Sequence, residues 1–167
     1  MIPTDVRDFV EGVQNDLGDP VMYFAGGCLL DRPAQDYDVL VLGFDGDEEE
    51  IMSVLEEFKV KTYPSYPDEV DNPYFMIASC YIEDTKVDFL FVKDDMDILA
   101  ALDRFPLSIQ MQAEDVFTEM RVQGCRYSCN PISVFLDGKS FSKYKKYYPN
   151  TDFLDETGKS LDDLSPF

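Results

Sequence analysis

The sequence predicts an α/β (α+β) fold in which a mixed β-sheet is flanked by helices. Segments with helical apolar spacing alternate with short β-rich runs, and one pair of runs is separated by only a few turn-forming residues, which indicates a hairpin. The chain has 167 residues, of which 45% are hydrophobic. A chain of this length buries a true core without metal or disulfide support, so we expect one domain with a small appendage.

Helix and strand signals can be assigned along most of the chain. The first part contains a helix over 4–17 that stops at Gly18, strands over Val21–Ala25 and Asp36–Phe44, and a helix over Asp47–Phe58. There follow a proline-rich loop over Tyr63–Pro73, hairpin strands over Phe75–Ile82 and Lys86–Val92, a helix over Met96–Leu102 and an alternating strand over Pro106–Gln112. The signals then weaken, with a short helix over Ala113–Met120 and a β-rich stretch over Arg121–Leu136.

These signals divide the chain into three parts. Residues 1–112 form the core, and residues 113–150 form an extension that packs on the core. Residues 151–167 carry five acids and one lysine, and we expect an acidic tail or a loosely docked arm there.

The composition is strongly acidic. Lys and Arg number 14 against 34 Asp and Glu, so the net charge is -20. Such a surface repels long nucleic acids and favours divalent metal ions or a basic protein partner. The chain has no histidine, which excludes His-assisted nucleophilic triads and His-ligated metal sites. Acid–base chemistry must therefore use carboxylates, Lys, Tyr or Cys.

The cysteine spacing and the N-terminal residues indicate the cellular location of the protein. Cys28, Cys80, Cys125 and Cys129 lack the dense spacing of a disulfide framework, so we expect free thiols in a reducing cytoplasm. A thiolate zinc site that uses Cys125 and Cys129 is the alternative. We see no signal peptide, and no apolar stretch approaches the ~20 residues of a membrane span. The expected location is cytoplasmic, without membrane contact.

Three aspartates accompany a Gly-Gly turn. Gly26-Gly27 ends the first strand, and Asp36 and Asp38 open the next, where their two-residue spacing places both carboxylates on one face. Asp88 lies in the apolar run KVDFLFV, where an acid is costly unless it is paired, exposed at an edge or bound to metal. Three carboxylates beside a glycine turn would suit Mg²⁺, and glycines let backbone N–H groups approach phosphate oxygens.

These residues resemble the head domain of the polymerase-β-type nucleotidyltransferase superfamily, especially its CCA-adding and poly(A) polymerase branch. The family motif is Gly-Gly-x-x-Arg-Asp, a short loop, and Asp-x-Asp at a strand start; this chain has GGCLLD over residues 26–31 and DYD over 36–38. Asp88 in VDFLF matches the third family carboxylate, and LDRFPLSIQM over Leu102–Met111 is similar to a further family segment. Short stand-alone chains similar to ones encoded by tailed phages come closest to this pattern, which covers residues 20–112.

The resemblance implies a nucleotidyltransferase-like core and a metal-dependent enzyme. It would move a nucleoside monophosphate from an NTP to a hydroxyl acceptor and release pyrophosphate. Asp36 and Asp38 would bridge two Mg²⁺ ions, for which Mn²⁺ could substitute, and Asp88 would bind the catalytic ion and accept the proton of the acceptor. The implied nucleotide-binding residues are Gly26, Gly27 and Cys28.

The chain departs from the family pattern in several places. Leu30 stands where the motif has Arg, the loop before Asp36 is shorter, and Pro106 stands where a family Asp would be. No neck or body domain for tRNA follows, so CCA addition to tRNA is not expected. The acceptor is unknown; at a net charge of -20 a small molecule or a protein side chain suits the chain better than a long RNA.

Each feature also has a simpler interpretation. Gly26-Gly27 can be an ordinary turn, Asp36 and Asp38 solvated acids, and Asp88 an outward residue of an edge strand. Asp31 can cap a turn. A basic and aromatic cluster either binds a triphosphate and stacks a base or forms a snorkelling helix face. That cluster contains Lys139, Lys143, Lys145 and Lys146 with Tyr144, Tyr147 and Tyr148.

The alternative function belongs to a different class. Arg32 or Lys86 could neutralise the aspartates, which would indicate an inactive site. The protein would then be a catalytically reduced nucleotidyltransferase scaffold whose acidic surface acts as a nucleic-acid mimic or an inhibitor that binds a basic host protein.

Overall fold

The computed structural model describes residues 2–30, 34, 36–58, 61–64, 73–125, 138–155 and 157–161, with the backbone alone for 61–64 and 138–140. Its helices are α1 (Thr4–Asp16), α2 (Glu48–Leu55), α3 (Ile98–Leu102) and α4 (Gly138–Tyr147). Its strands are β1 (Val21–Ala25), β2 (Asp36–Leu42), β3 (Lys61–Pro64), β4 (Tyr74–Ile82), β5 (Thr85–Val92), β6 (Gln112–Asp115) and β7 (Arg121–Gln123). Two 3₁₀ turns lie at Gly26–Leu29 and Ser108–Gln110.

The described strands form one mixed sheet in the order β3-β4-β5-β2-β1-β6-β7. The pair β2 and β5 is parallel, and the other neighbours are antiparallel. A parallel pair needs a crossover, and here it runs through α2, β3 and β4. The predicted α+β fold with a mixed sheet and flanking helices is confirmed.

Both faces of the central strands are covered. Val39 and Phe89 face one side, where they pack in a core with residues of α1 and α2. Leu40 and Leu90 face the other side, where they pack with Leu102 of α3. Because both faces are buried, the middle of β2 and β5 reads as a continuous apolar run.

The segment after α3 differs from its prediction. The predicted strand over Pro106–Gln112 does not form, because Ser108–Gln110 makes a 3₁₀ turn, and Gln112 alone of these residues belongs to a named strand, as the first residue of β6. Ala113–Met120 is not a helix: β6 adds to the edge of β1, and the Asp115 carboxylate then accepts the backbone N–H groups of Phe117 and Thr118. An aspartate that satisfies the backbone in this way favours a turn over a helix.

The predicted proline-rich loop begins later than expected. Tyr63 and Pro64 belong to β3, at the end of the sheet, where the missing N–H of a proline is tolerated. The rest of that loop up to residue 72, and residues 126–136 of the β-rich stretch, lie outside the described residues.

The C-terminal residues pack against α4. Phe153 and Leu161 are buried in a small core with Leu107 and Tyr144. The backbone N–H of Leu161 donates to the carbonyl of Phe153 at 2.7 Å. The part of the acidic segment up to Leu161 is therefore docked on α4, more firmly than the expected tail or loose arm.

The structure describes three of the four cysteines. Cys28, Cys80 and Cys125 are free, and Cys129 lies outside the described residues. None of the described helices is long and apolar enough to span a membrane.

Candidate active site

The register of the parallel pair brings two aspartates side by side. Asp38 of β2 is aligned with Asp88 of β5, and Asp36 is aligned with Lys86. Neighbouring strands lie about 4.8 Å apart, and residues two apart on a strand share a face, so the three carboxylates lie on one face of the sheet. All three line one open cavity of about 160 Å³, with Asp36 at its exposed rim.

Asp88 has two partners within the protein. The buried Ser79 hydroxyl of β4 donates a hydrogen bond to Oδ1 of Asp88. Lys86 Nζ lies 3.5 Å from Oδ2, in an ion pair that is partly exposed on the lysine side. Ser79 thus orients the carboxylate, while Lys86 supplies a cation close to it.

The carboxylates repel one another. Burial, followed by the charges of Asp88 and Asp36, raises the pKa of Asp38 from 3.8 to about 7, although the charges of Lys86 and Lys143 oppose the rise. Burial disfavours the charge on Lys86, but Asp88 and Asp36 outweigh it and raise the pKa of the lysine. A buried carboxyl whose neighbours are also acids binds a cation favourably, because the cation relieves the repulsion.

The Gly-Gly turn lies beside these acids. Gly27 and Cys28 line the cavity, whereas Gly26 is buried and does not line it. The Cys28 thiol donates to the carbonyl of Ala25 at 3.3 Å, and burial together with Asp38 raises its pKa to about 12. The thiol therefore stays protonated near neutral pH and does not act as a nucleophile.

Gly26 is required by its conformation. Its φ is +78°, and a Cβ at this position would lie 2.9 Å from Cε1 of Phe105. We expect Gly26→Ala to lower the free energy of unfolding by about 1–2 kcal/mol, because alanine is strained at positive φ and the ring must shift. Chemical denaturation measures this, with Gly12→Ala in α1 as the control, since a methyl group at Gly12 would meet nothing within 4 Å. An equal effect of the two substitutions would contradict the prediction.

Helix α4 forms the opposite wall of the cavity. Lys143, Tyr144 and Tyr147 line it, together with Gln110 from the second 3₁₀ turn. The Gln110 side-chain amide donates to the Tyr144 hydroxyl at 3.4 Å and accepts the N–H of Leu107 at 2.9 Å. Part of the basic and aromatic cluster therefore faces the acids and does not form a purely solvated helix face.

Other lysines of the cluster have different surroundings. Lys145 donates to the carbonyl of Thr151 at 3.0 Å and lies 5.7 Å from the ring centre of Phe153. Lys146 is exposed and is absent from the cavity lining. The side chain of Lys139 lies outside the described residues, as do Asp31 and Arg32.

Two lining or supporting residues, Ser79 and Gln110, were not predicted from the sequence. The position of Ser79 could have been predicted from the hairpin register. The hairpin aligns Ile82 with Thr85, and counting back three pairs aligns Ser79 with Asp88. No comparable signal marks Gln110, because its place depends on a 3₁₀ turn and on the docking of α4.

The donor set fits Mg²⁺ in part. Within the described residues, no group of three or more acids and cysteines is close enough to form a ready metal cage. Mg²⁺ usually takes one or two carboxylates and completes its shell with water and substrate phosphates, and Asp38 and Asp88 fit that smaller demand. Lys86 lies where it competes with such an ion for Asp88.

The structure is similar to solved tRNA-processing enzymes. The Thermotoga maritima CCA-adding enzyme complexed with tRNA matches with 19% identity and a TM-score of 0.59, over 93% of this chain and 40% of that chain. A tRNA nucleotidyltransferase complexed with a primer tRNA and an incoming ATP analog matches with 18% identity and a TM-score of 0.55, over 87% of this chain and 46% of that one. An apo tRNA-processing enzyme matches with 18% identity and a TM-score of 0.56, over 86% and 40%.

These similarities concern the fold alone. No protein-family model and no curated protein sequence matches the chain. The chain spans less than half the length of the structures it matches. At this level of identity the comparisons show that the chain has the nucleotidyltransferase-type fold of the CCA-adding enzymes.

Proposed function

We propose that this protein is a nucleotidyltransferase that moves a nucleoside monophosphate from an NTP to a hydroxyl acceptor. The observation that carries the proposal is the alignment of Asp38 with Asp88 on the cavity side of the sheet, with Asp36 at the rim. Paired acids on apolar strands lower the stability of the fold. Their presence next to a glycine turn therefore supports a role in binding cations and phosphates.

The reaction has a simple balance. The acceptor oxygen forms a bond to the α-phosphorus, the bond from that phosphorus to the β-phosphate oxygen breaks, and pyrophosphate leaves with the electron pair. The proton of the hydroxyl goes to Asp88 Oδ2, since Oδ1 is occupied by the Ser79 hydroxyl and no histidine is present. Lys86, 3.5 Å from Oδ2, offsets the negative charge that surrounds the reacting groups.

Mg²⁺ is the proposed cofactor, held by Asp38 and Asp88 with Asp36 at the rim. When bound, such an ion neutralises phosphate charge and polarises the reacting phosphoryl group. The chain's own contribution is the orientation of the carboxylates by the strand register and by Ser79. Gly27 lines the same cavity, and a residue without a side chain lets a phosphate oxygen approach its backbone N–H.

The acceptor is proposed to be small or to be a protein side chain. Two structural neighbours are complexed with tRNA, but this chain covers only 46% and 40% of their lengths. A net charge of -20 opposes the approach of a long polyanion, and screening by salt only partly relieves that repulsion.

A second candidate function follows from the ion pair of Lys86 with Asp88. A lysine that permanently replaced the metal ion would leave an inactive scaffold, and its acidic surface would then bind a basic host protein. The two functions differ in the effect of Mg²⁺ and in the need for an NTP.

The deciding experiment compares the wild-type protein with the Asp36→Ala/Asp38→Ala double variant. The wild type is expected to transfer label from α-labelled NTPs, to small hydroxyl compounds or to protein, in the presence of Mg²⁺. The double variant should lose this activity. Labelling that continues at the wild-type rate in the double variant would contradict the proposal.

Thermal melting separates the two candidates without an activity assay. At a hundredfold excess over its dissociation constant, Mg²⁺ should stabilise the wild type by about 2.7 kcal/mol, and the double variant should show no such gain. Sodium chloride at equal ionic strength controls for charge screening. The scaffold would be favoured if Mg²⁺ left the melting temperature unchanged, a basic protein were captured in a salt-sensitive way, and no NTP-dependent labelling occurred.

A further inference from the structure

The wall of the cavity opposite the aspartates carries a cation and an aromatic ring from the same helix. Lys143 and Tyr147 lie four residues apart on α4, so they occupy the same face of the helix. Both line the cavity of Asp36, Asp38 and Asp88. This pairing comes from the C-terminal extension and not from the sheet that carries the acids.

By themselves, the three aspartates of the cavity would repel a nucleotide. A triphosphate carries several negative charges, and it would enter a space that three carboxylates already line. Of the described residues that line this cavity, Lys143 is the one cationic side chain. Lys143 is therefore placed to bind a phosphate group that lies over the carboxylates.

The size of the cavity decides which part of a nucleotide can enter. At about 160 Å³ it is smaller than the ~300–1,000 Å³ of sites that enclose a whole small ligand. A phosphate chain fits within it, and the base must remain at its mouth. Tyr147 is 49% exposed and contributes to the lining, so its ring lies at that mouth.

We propose that α4 completes the nucleotide site: Lys143 binds the triphosphate, and Tyr147 stacks on the base. This inference rests on the proposed function and extends it, since it names the residues that recognise each part of the substrate. Stacking on a ring face is tolerant of base identity, so we expect ATP, GTP, CTP and UTP to bind with similar affinity.

The remaining members of the helix have separate tasks. Tyr144 is buried and is joined to Gln110, and the Lys143 ammonium lies 5.7 Å from the Tyr144 ring centre. Tyr144 thus positions the helix and its lysine above the cavity. Lys145 is directed to Thr151 and Phe153 instead, which anchors α4 to the C-terminal segment.

The test measures the binding of two probes, ATP and inorganic tripolyphosphate, by calorimetry with Mg²⁺ present. Lys143→Ala is expected to weaken both probes by about 10-fold, because it removes a charge-assisted contact to phosphate. Tyr147→Ala is expected to weaken ATP by about 10-fold and to leave tripolyphosphate unchanged, because only ATP has a base to stack. Lys143→Arg and Tyr147→Phe should retain most of the affinity.

Lys146→Ala is the matched control, since Lys146 is an exposed lysine of the same helix that does not line the cavity. Wild-type affinity for ATP in Lys143→Ala and in Tyr147→Ala would overturn the inference while leaving the proposed function intact. A loss of tripolyphosphate binding in Tyr147→Ala that matches the loss of ATP would overturn the stacking role. No binding of either probe by the wild-type protein would instead contradict the proposed function itself.

Discussion

Asp38→Asn is expected to abolish nucleotidyl transfer and, at the same time, to stabilise the metal-free protein. The loss of activity should be at least about 100-fold, because the substitution removes a charged group that faces the reacting phosphates. The gain in stability follows from the pKa of Asp38, which burial and the neighbouring acids raise from 3.8 to about 7. An amide of the same shape carries no charge, so the variant avoids both the burial of that charge and its repulsion by Asp88 and Asp36.

The sign of the pH dependence can be worked out from that shift. Between pH 4 and 7 the folded protein holds a proton on Asp38 that the unfolded chain has lost, so the Asp38 contribution to stability falls as the pH rises through this range. In the presence of a chelator, the variant should therefore match the wild type near pH 4 and exceed it by about 1–3 kcal/mol at pH 8.

Chemical denaturation at both pH values measures this difference, and transfer from a labelled NTP measures the activity. Asp8→Asn, which alters an exposed acid of α1, serves as the control and should change neither quantity by much. A variant that loses activity and is also less stable at pH 8 would contradict the electrostatic account of Asp38, because it would show that the carboxylate supports the fold.

The sequence was sufficient to locate the acids and their common face. Alternation along a strand placed Asp36 with Asp38, and the apolar neighbours of Asp88 required it to point away from the main core. In the structure Val87 and Phe89 lie in the core beside α1 and α2, while Asp88 lines the cavity. The strand period is a local property, so one sequence is enough to reveal it.

The environment of the acids was harder to predict because it depends on contacts between distant segments. Nothing local to Lys143 shows that it faces Asp38, since that position results from the docking of α4 over the sheet. The sequence predicts a helix around Asp115, but in the structure the pairing of β6 with β1 outweighs this local preference. A strand of only four residues, such as β6, has too short a pattern to distinguish strand from helix spacing.

Phe153→Ala is expected to be the most destabilising of the proposed substitutions and to weaken nucleotide binding as well. Phe153 is fully buried against α4, and its ring meets that of Phe141 at a centroid distance of 5.7 Å and an angle of 84°. Loss of a buried phenylalanine typically costs about 3–5 kcal/mol, since a cavity remains where the ring was. The same change removes the surface on which Lys145 rests, so α4 should lose its fixed position above the aspartates.

The matched control for this substitution is Phe117→Ala, because Phe117 is 85% exposed and its removal should change stability by less than about 0.5 kcal/mol. Chemical denaturation compares the two variants, and calorimetry with ATP measures the effect on the site. Phe153→Leu should recover part of both losses, since a leucine side chain refills much of the space. If Phe153→Ala were no more destabilising than Phe117→Ala, the C-terminal segment would not be docked as the structure has it, and the position of α4 would need another cause. If Phe153→Ala destabilised the protein but bound ATP as the wild type does, α4 would be held over the site by Leu107 and Tyr144 without help from the acidic segment.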